Sequence, residues 1–428
     1  MLTAITGINW GDEGKGRMVD LLSQEYDIVC RYQGGNNAGH TVVNPRGKFV
    51  LNLLPSGILR SNVVCVMGNG MVVDPTHLEK EIANLREKGI EISPKNLKIS
   101  DRATICMPYH VAEDGLEEDR LAKSGSQFGS TRRGIAYAYG DKYMKKTLRM
   151  GDLVHLDEAV KKRLATIVEW KNLTMEGIYG TQPISLEETW AWCQHYAEVF
   201  KDYICDVGDY LTEADKNGKK ILLEAQLGAL RDIDFGIYPF TSSSNVIGAY
   251  APIGAGIPGR KLDLSVGIMK AYSSCVGEGP FTAELAMTEE QKNELRLAGH
   301  EFGAATGRPR RVGPFDVVAS RYGVACQGAD ELALTLLDVL DYMEKIPVVA
   351  HYSVNGEIVD RFPMGEALDI AQPVLEYLPG WHCDITAARK WEDLPKEAQD
   401  YVNYIEKAVG CRIAYISVGP DRDACIRR

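Results

Sequence analysis

No stretch of the chain approaches the ~20 consecutive apolar residues that a membrane-crossing helix requires. The opening residues Met1-Leu2-Thr3-Ala4-Ile5-Thr6 lack the basic region of a secretory signal. Ten cysteines are present, but no C-x-x-C pair occurs, which excludes the usual zinc and disulfide frameworks and indicates reduced thiols. Positive charge is in deficit: the formal net charge is −11, so nothing would neutralise a nucleic-acid backbone. Small anionic substrates stay open, because they need only a local basic pocket. Internal repeats, charge blocks and low-complexity linkers are also missing, so no domain boundary is marked and residues 1–428 are expected to form a single domain. What remains is a cytoplasmic enzyme with neither membrane nor nucleic acid as partner.

The composition present is that of a globular protein, with 45% hydrophobic residues, 25% charged residues and 42 glycines. Short apolar β-type runs recur at Thr3–Ile8, Ile28–Tyr32, Val63–Met67, Ile221–Glu224, Val348–Ser353 and Ile413–Ser417. Amphipathic stretches such as His77–Lys88, Ser185–Phe200 and Lys396–Val409 separate them. This alternation predicts an α/β fold with a mostly parallel central sheet covered by helices. Ligands are then expected beyond the carboxyl ends of the strands.

The first predicted strand runs into Gly7-Ile8-Asn9-Trp10-Gly11-Asp12-Glu13-Gly14-Lys15-Gly16-Arg17, followed by the helical Met18-Val19-Asp20-Leu21-Leu22. A glycine-rich turn between strand and helix lets backbone N–H groups converge on an anion, and Lys15 adds a cation. The interval from Gly7 to Gly14 is two residues longer than in an ordinary P-loop, and Gly16 replaces the magnesium-binding hydroxyl. Asp12 and Glu13 would repel phosphate, so their presence makes sense if one binds metal or acts as a base. The alternative is a glycine-rich turn without a ligand. A second segment, Arg31-Tyr32-Gln33-Gly34-Gly35-Asn36-Asn37-Ala38-Gly39-His40-Thr41, places a histidine in a polar, glycine-rich loop. Such a histidine serves either structure or proton transfer, and the polar surroundings favour the second.

These two segments resemble the N-terminal signatures of the adenylosuccinate synthetase family, W-G-D-E-G-K-G and G-G-x-N-A-G-H-T. The likeness continues through Gly129-Ser130-Thr131, Glu224-Ala225-Gln226, Asp232-Ile233-Asp234, Gly279-Pro280-Phe281, Thr306-Gly307-Arg308, Leu337-Asp338-Val339-Leu340-Asp341 and Gly419-Pro420-Asp421-Arg422. Their order over more than 400 residues makes the resemblance specific. It implies a GTP-dependent, Mg²⁺-assisted ligation of L-aspartate to inosine monophosphate (IMP), the committed step of AMP biosynthesis, through a 6-phosphoryl intermediate.

The resemblance also assigns roles. Asp12 matches the catalytic base, His40 the catalytic acid, and Lys15 and Gln226 further catalytic positions. Asp12 and the backbone carbonyl of Gly39 match the Mg²⁺ ligands. IMP contacts fall on Asp12, Glu13, Gly14 and Lys15, and on Asn37, Ala38, Gly39 and His40. Thr131, Gln226, Ser242 and Arg308 complete that set, with Lys145 reaching across a homodimer interface. GTP contacts fall on Gly11 through Arg17, including Gly16, and on Gly39, His40, Thr41 and Arg310. Leu336, Leu337 and Asp338 lie at the guanine, beside Ser417, Val418 and Gly419. The run Ala304, Ala305, Thr306, Gly307, Arg308, Pro309 and Arg310 matches the loop that closes over aspartate. Its arginines suit a dicarboxylate, although without the family they also read as a solvated basic face.

Several positions depart from the family pattern. Leu336 replaces a lysine, Lys145 an arginine, Cys275 an arginine and Pro309 an arginine. Arg132 replaces a glycine, Ala136-Tyr137 replaces Gly-Pro, and the turn from Gln226 to Asp232 is one residue longer. Two rival readings are a sister ligase for another purine nucleotide and a catalytically dead homologue. Retained Asp12 favours IMP over guanylate substrates, and Lys15, His40 and Gln226 favour an active enzyme.

Overall fold

The computed structural model describes residues 1–428 apart from 45, 127, 303–306 and 308, with residue 44 described by its backbone alone. Ten strands form the central sheet: β1 Leu2–Gly7, β2 Ile28–Arg31, β3 Val64–Met67, β4 Leu97–Ser100, β5 Ile204–Cys205, β6 Ile221–Glu224, β7 Leu264–Lys270, β8 Glu331–Thr335, β9 Ile413–Ser417 and β10 Cys425–Arg427. Their spatial order is β10-β9-β8-β7-β1-β6-β2-β3-β4-β5, and every pair is parallel except β9 with β10. The expected mostly parallel sheet is present.

Period-2 alternation sends side chains of each strand to two different cores. Leu2, Ala4, Ile28, Cys30, Ile221 and Leu223 pack in one cluster, while Ile5, Val29 and Leu222 pack in another on the opposite face. All six residues of β1 are buried, as a central parallel strand covered on both faces requires. β1 has β6 on one side and β7 on the other, and the chain crosses over β1 between those two strands. The strand order therefore reverses at β1, and the crevice for ligands opens beyond Gly7.

Helix α1, Lys15–Leu22, follows directly and packs Met18, Val19 and Leu22 into the core. The predicted amphipathic helices appear at Pro75–Glu87, at Leu186–Phe200 capped by the Ser185 hydroxyl, and at Lys396–Val409. One expected strand lies elsewhere. Val348–Ser353 belongs to Lys345–Val354, outside the central sheet, and pairs antiparallel with Glu357–Val359 and Gln372–Pro379. The reason is the turn at Asn355-Gly356, where φ is 54° and 87°, a geometry that folds a strand back as a hairpin.

Helix Val317–Gln327 supports the crevice from below: the Ser320 hydroxyl accepts from Asn9 Nδ2 at 3.0 Å, and Gln327 Nε2 donates to the Gly7 carbonyl at 2.8 Å. Its N-cap is Asp316, fully buried, which accepts from Ala319 N at 2.9 Å and from the Tyr352 hydroxyl at 2.6 Å. Burial pushes the Asp316 carboxyl up from 3.8 to about 6 despite those hydrogen bonds. A raised carboxyl binds its proton more tightly folded than unfolded. Stability from this group is therefore full below pH 3.8 and is lost as pH rises through about 6. Asp316→Asn keeps a capping side chain and removes the titration. Relative to this variant, the wild type should lose roughly 1.4 kcal/mol per pH unit across that window in urea melts. A difference that stays constant with pH would contradict this.

Candidate active site

The phosphate loop resolves the puzzle of its two carboxylates by pointing them in opposite directions. Glu13 turns inward, 2% exposed, and its carboxylate accepts the N–H groups of Asn9 at 3.1 Å and Gly11 at 2.8 Å. It also receives Lys15 Nζ at 2.5 Å. Glu13 is thus an internal anion that shapes the loop, and its carboxylate is already taken up by Asn9, Gly11 and Lys15 rather than turned toward the expected IMP and GTP contacts. Asp12 turns outward at φ 59°, a left-handed conformation that Asp adopts more readily than most residues. Its carboxylate meets Arg310 Nη2 at 3.1 Å, which joins the phosphate loop to the predicted aspartate side.

Arg310 is held from behind. Its Nη1 donates to Glu301 at 2.8 Å, and Glu301 also receives Lys270 Nζ and the Tyr272 hydroxyl, both at 2.6 Å. Burial alone would raise the Glu301 carboxyl, but Lys270 and Arg310 bring it down to about 2. An ionic chain therefore runs from Lys270, at the end of β7, to Asp12. Arg310 Nε is buried without a partner among the described residues. The expected contacts at Ala304, Ala305, Thr306 and Arg308 lie outside the described residues; Gly307 and Pro309 are exposed.

His40 heads the strand His40–Asn44 rather than lying within a loop. Its Nδ1 is 2.5 Å from Glu224, which also accepts from the Ser56 N–H at 2.8 Å and the Ser56 hydroxyl at 2.6 Å. Burial would raise the Glu224 carboxyl, but His40, Arg31 and Ser56 outweigh it and hold it below the ordinary range. A Cβ at Gly16 would sit 2.8 Å from His40 Cβ. The missing P-loop hydroxyl at Gly16 is thus the space that the histidine fills. Glu224 is the orienting residue, and the charged end of the otherwise apolar β6 is the sequence signal for it.

Gln226 lies beneath the cleft with no exposed surface. Its Oε1 accepts from Arg31 at 2.5 Å and from Gly35 N at 3.1 Å, and its Nε2 donates to Asn37. Through these bonds Gln226 holds the Asn37 loop in place. A Cβ at Gly34, where φ is 80°, would overlap Gln226 Oε1 at 2.0 Å. Ser242 Oγ is 3.4 Å from Ser244 Oγ, which bonds Gln33, so Ser242 joins the same wall.

On the other side, the Thr335 hydroxyl at the end of β8 donates to the Glu13 carbonyl at 2.7 Å. Leu336 follows at φ 60° with its side chain packed against an apolar cluster, and Leu337 is buried. Asp338 is half-buried; burial raises its carboxyl, and Oδ1 has no hydrogen-bond partner among the described residues. A buried acceptor without a partner is costly, and a donor brought to it would offset that cost. Arg17 bonds the Ser417 hydroxyl and the carbonyls of Asp421 and Ala424, at 2.6 and 3.1 Å for the last two, and so ties α1 to the segment Ser417–Gly419.

Thr131 and Lys145 stand apart from these clusters. Thr131 is exposed, next to Arg132, whose φ of 55° explains a glycine preference at that position. Lys145 is exposed at the C-terminal end of helix Ile135–Met144, and its side chain makes no hydrogen bond or ion pair among the described residues. Among the described residues no cluster of three or more metal-ligating side chains occurs.

Comparison with known proteins bears on the whole chain. The family model for adenylosuccinate synthetase matches residues 4–426. Adenylosuccinate synthetase of Caldanaerobacter subterraneus subsp. tengcongensis is 44% identical over 426 residues, covering 99% of this chain and 98% of that protein. The fully ligated adenylosuccinate synthetase of Plasmodium falciparum is 34% identical with a TM-score of 0.92, covering 100% of this chain and 99% of that one. A cyanophage S-2L succinoaminodeoxyadenylate synthetase bound to dGMP and dATP shares the fold at TM-score 0.59 and 20% identity, with 100% and 95% covered. Matched by the family model over residues 4–426 and by a 44% identical relative over 99% of its length, this chain belongs to the adenylosuccinate synthetase family.

Proposed function

We propose that these clusters divide among themselves the steps of the family's reaction. The chain is a ligase that uses GTP to join L-aspartate to IMP, giving adenylosuccinate, GDP and phosphate, in AMP biosynthesis. The outward carboxylate of Asp12, beside Arg310, is the observation that carries the division. Asp12 removes the N1 proton of IMP, so that O6 attacks the γ-phosphorus of GTP. His40 donates Nδ1–H to Glu224, which leaves Nε2 to donate a proton to the transferring phosphoryl group while Glu224 balances the imidazolium charge. Lys15 leaves Glu13 or is shared with it as phosphate enters. Phosphate then departs as the amino group of aspartate attacks C6, with Arg310 and Arg308 holding the aspartate carboxylates.

Asp12 and the carbonyl of Gly39, both on exposed residues, would supply all-oxygen donors that suit Mg²⁺, which takes one or two protein oxygens and completes its shell with water and phosphate. When bound, Mg²⁺ neutralises charge on the phosphates. Mass spectrometry of the products from IMP, aspartate and GTP tests the reading. Adenylosuccinate should appear in equal amount with GDP, and its absence would contradict the assignment.

Among the described residues no helix is long and apolar enough to cross a membrane. A single domain is supported by Arg422, near the C-terminus, which grips Asp20 on α1 through two bonds of 2.7 Å. A homodimer sharing Lys145 is supported by the apolar exposure of its chain neighbours: Tyr143 is 69% exposed and Met144 52%. Lys145→Ala should raise the KM for IMP about tenfold, as loss of a charge-assisted contact does. Mixed with an Asp12→Asn partner in equal amounts, it should recover up to about a quarter of wild-type activity, since half the dimers are mixed and each has one intact site. A fully active monomer by light scattering would contradict the shared site.

A further inference from the structure

Asn52 follows the strand Gly47–Leu51, which pairs antiparallel with His40–Asn44 and sets Leu51 opposite His40. Both its backbone and its side chain are engaged. The Asn52 N–H donates to Glu81 at 2.8 Å, and its carbonyl accepts from the fully buried Arg31. Its Nδ2 donates to the Ala38 carbonyl at 2.5 Å, and its Oδ1 accepts from His77 Nε2 at 3.1 Å. The amide has one orientation, because the Ala38 carbonyl can only accept and therefore faces Nδ2. His77 and Glu81 lie one turn apart on the helix Pro75–Glu87, and Glu81 also accepts from Leu53 N at 2.9 Å. Asp74, the N-cap of that helix, accepts from Asn36 Nδ2 at 3.0 Å. One helix thus grips the loop before His40 at Asn36 and, through Asn52, at Ala38.

The bond to Ala38 matters because of the residue that follows. Gly39 is exposed, and a Cβ placed there would meet only Val50 Cγ1, at 3.9 Å, among the described residues. Packing does not fix it, and glycine has the widest backbone freedom of any residue. Its neighbours are pinned instead, Ala38 by Asn52 and His40 by Glu224, while Gln226 bonds Asn37. We propose that Asn52 is a positioning residue for the reaction, holding the segment Asn37–Gly39 in place through the Ala38 carbonyl. His77 acts one step further out, by keeping the Asn52 amide from turning over. The effect on the reaction rests on the reading of Asn37 as an IMP contact, whereas the hold of Asn52 on the segment does not.

The test compares Asn52→Ala, Asn52→Asp and His77→Phe by hydrogen exchange, melting temperature and steady-state kinetics. Asn52→Asp keeps the shape of the side chain and loses only the donor to Ala38, so a role in packing alone would tolerate it. In both Asn52 variants, exchange in the segment 34–41 should quicken about tenfold while the rest of the chain is unchanged. The KM for IMP should rise about tenfold, with kcat within about threefold because His40 keeps Glu224, and the KM for aspartate within about twofold. His77→Phe should move the same quantities in the same direction by less. Should both Asn52 variants fail to fold, His77→Phe carries the test alone. Unchanged exchange in the segment, or exchange that quickens evenly through the chain with a lowered melting temperature, would overturn the positioning role. Faster exchange confined to the segment with an unmoved KM for IMP would overturn the Asn37 reading and leave the hold of Asn52 intact.

Discussion

Asp12→Asn should reduce kcat by at least ~100-fold, the loss expected when a general base is removed, while the fold and IMP binding persist. The structure makes this variant a clean one. Asn tolerates the left-handed backbone at position 12 as Asp does, so no strain is added. The lost ion pair to Arg310 joins side chains 34% and 21% exposed, and partly screened pairs of this kind contribute ~1 kcal/mol or less. Arg310 keeps Glu301 as its partner, so no buried cation is left alone. Single-turnover quench with GTP, IMP and the variant separates binding from chemistry. More than a tenth of the wild-type rate would remove Asp12 from proton transfer.

Asp338→Asn should shrink the preference for GTP over ATP by about ten- to a hundredfold in kcat/KM, since bonds to a charged acceptor are worth ~1.5–3 kcal/mol each. The Asp338 carboxylate, whose buried Oδ1 has no partner among the described residues, is the acceptor proposed for the N1–H and 2-amino edge of guanine, and adenine presents neither donor there. Leu336, in contrast, packs its side chain against the apolar cluster behind β8, so the base reading proposed for Asp338 does not depend on it. Leu336→Lys should tighten both nucleotides more than it alters their ratio, by the ~0.5–2 kcal/mol of a cation over a ring. Equal kcat/KM values for GTP and ATP in the wild type would show that Asp338 does not select the base.

The strand–loop–helix unit from Leu2 to Leu22 is legible in the sequence because each part of it is local: an apolar run, glycines and a lysine within one short segment. The strand Leu264–Lys270 is not legible there, because its Ser265, Gly267 and Lys270 interrupt the apolar pattern. Those polar groups are buried with partners, Lys270 with Glu301 and Ser274, which hydropathy alone does not reveal. Glu224 and His40 are 184 positions apart, so the pair emerges only when the sheet and its loops assemble. Glu13 shows the same lesson at short range. Its charge was legible, but its inward direction depends on the turn geometry that brings the Asn9 and Gly11 N–H groups to it. His40 stands out in the sequence as a lone histidine among polar residues, and the carboxylate that orients it is visible there only as a motif letter.

Phosphate release measured with each of IMP, L-aspartate, GTP and Mg²⁺ omitted in turn, and with ATP in place of GTP, tests the central claim most directly. The account predicts rapid release only when all four are present, with ATP a poor substitute. Undiminished release without IMP or aspartate, or equal release with ATP, would contradict it.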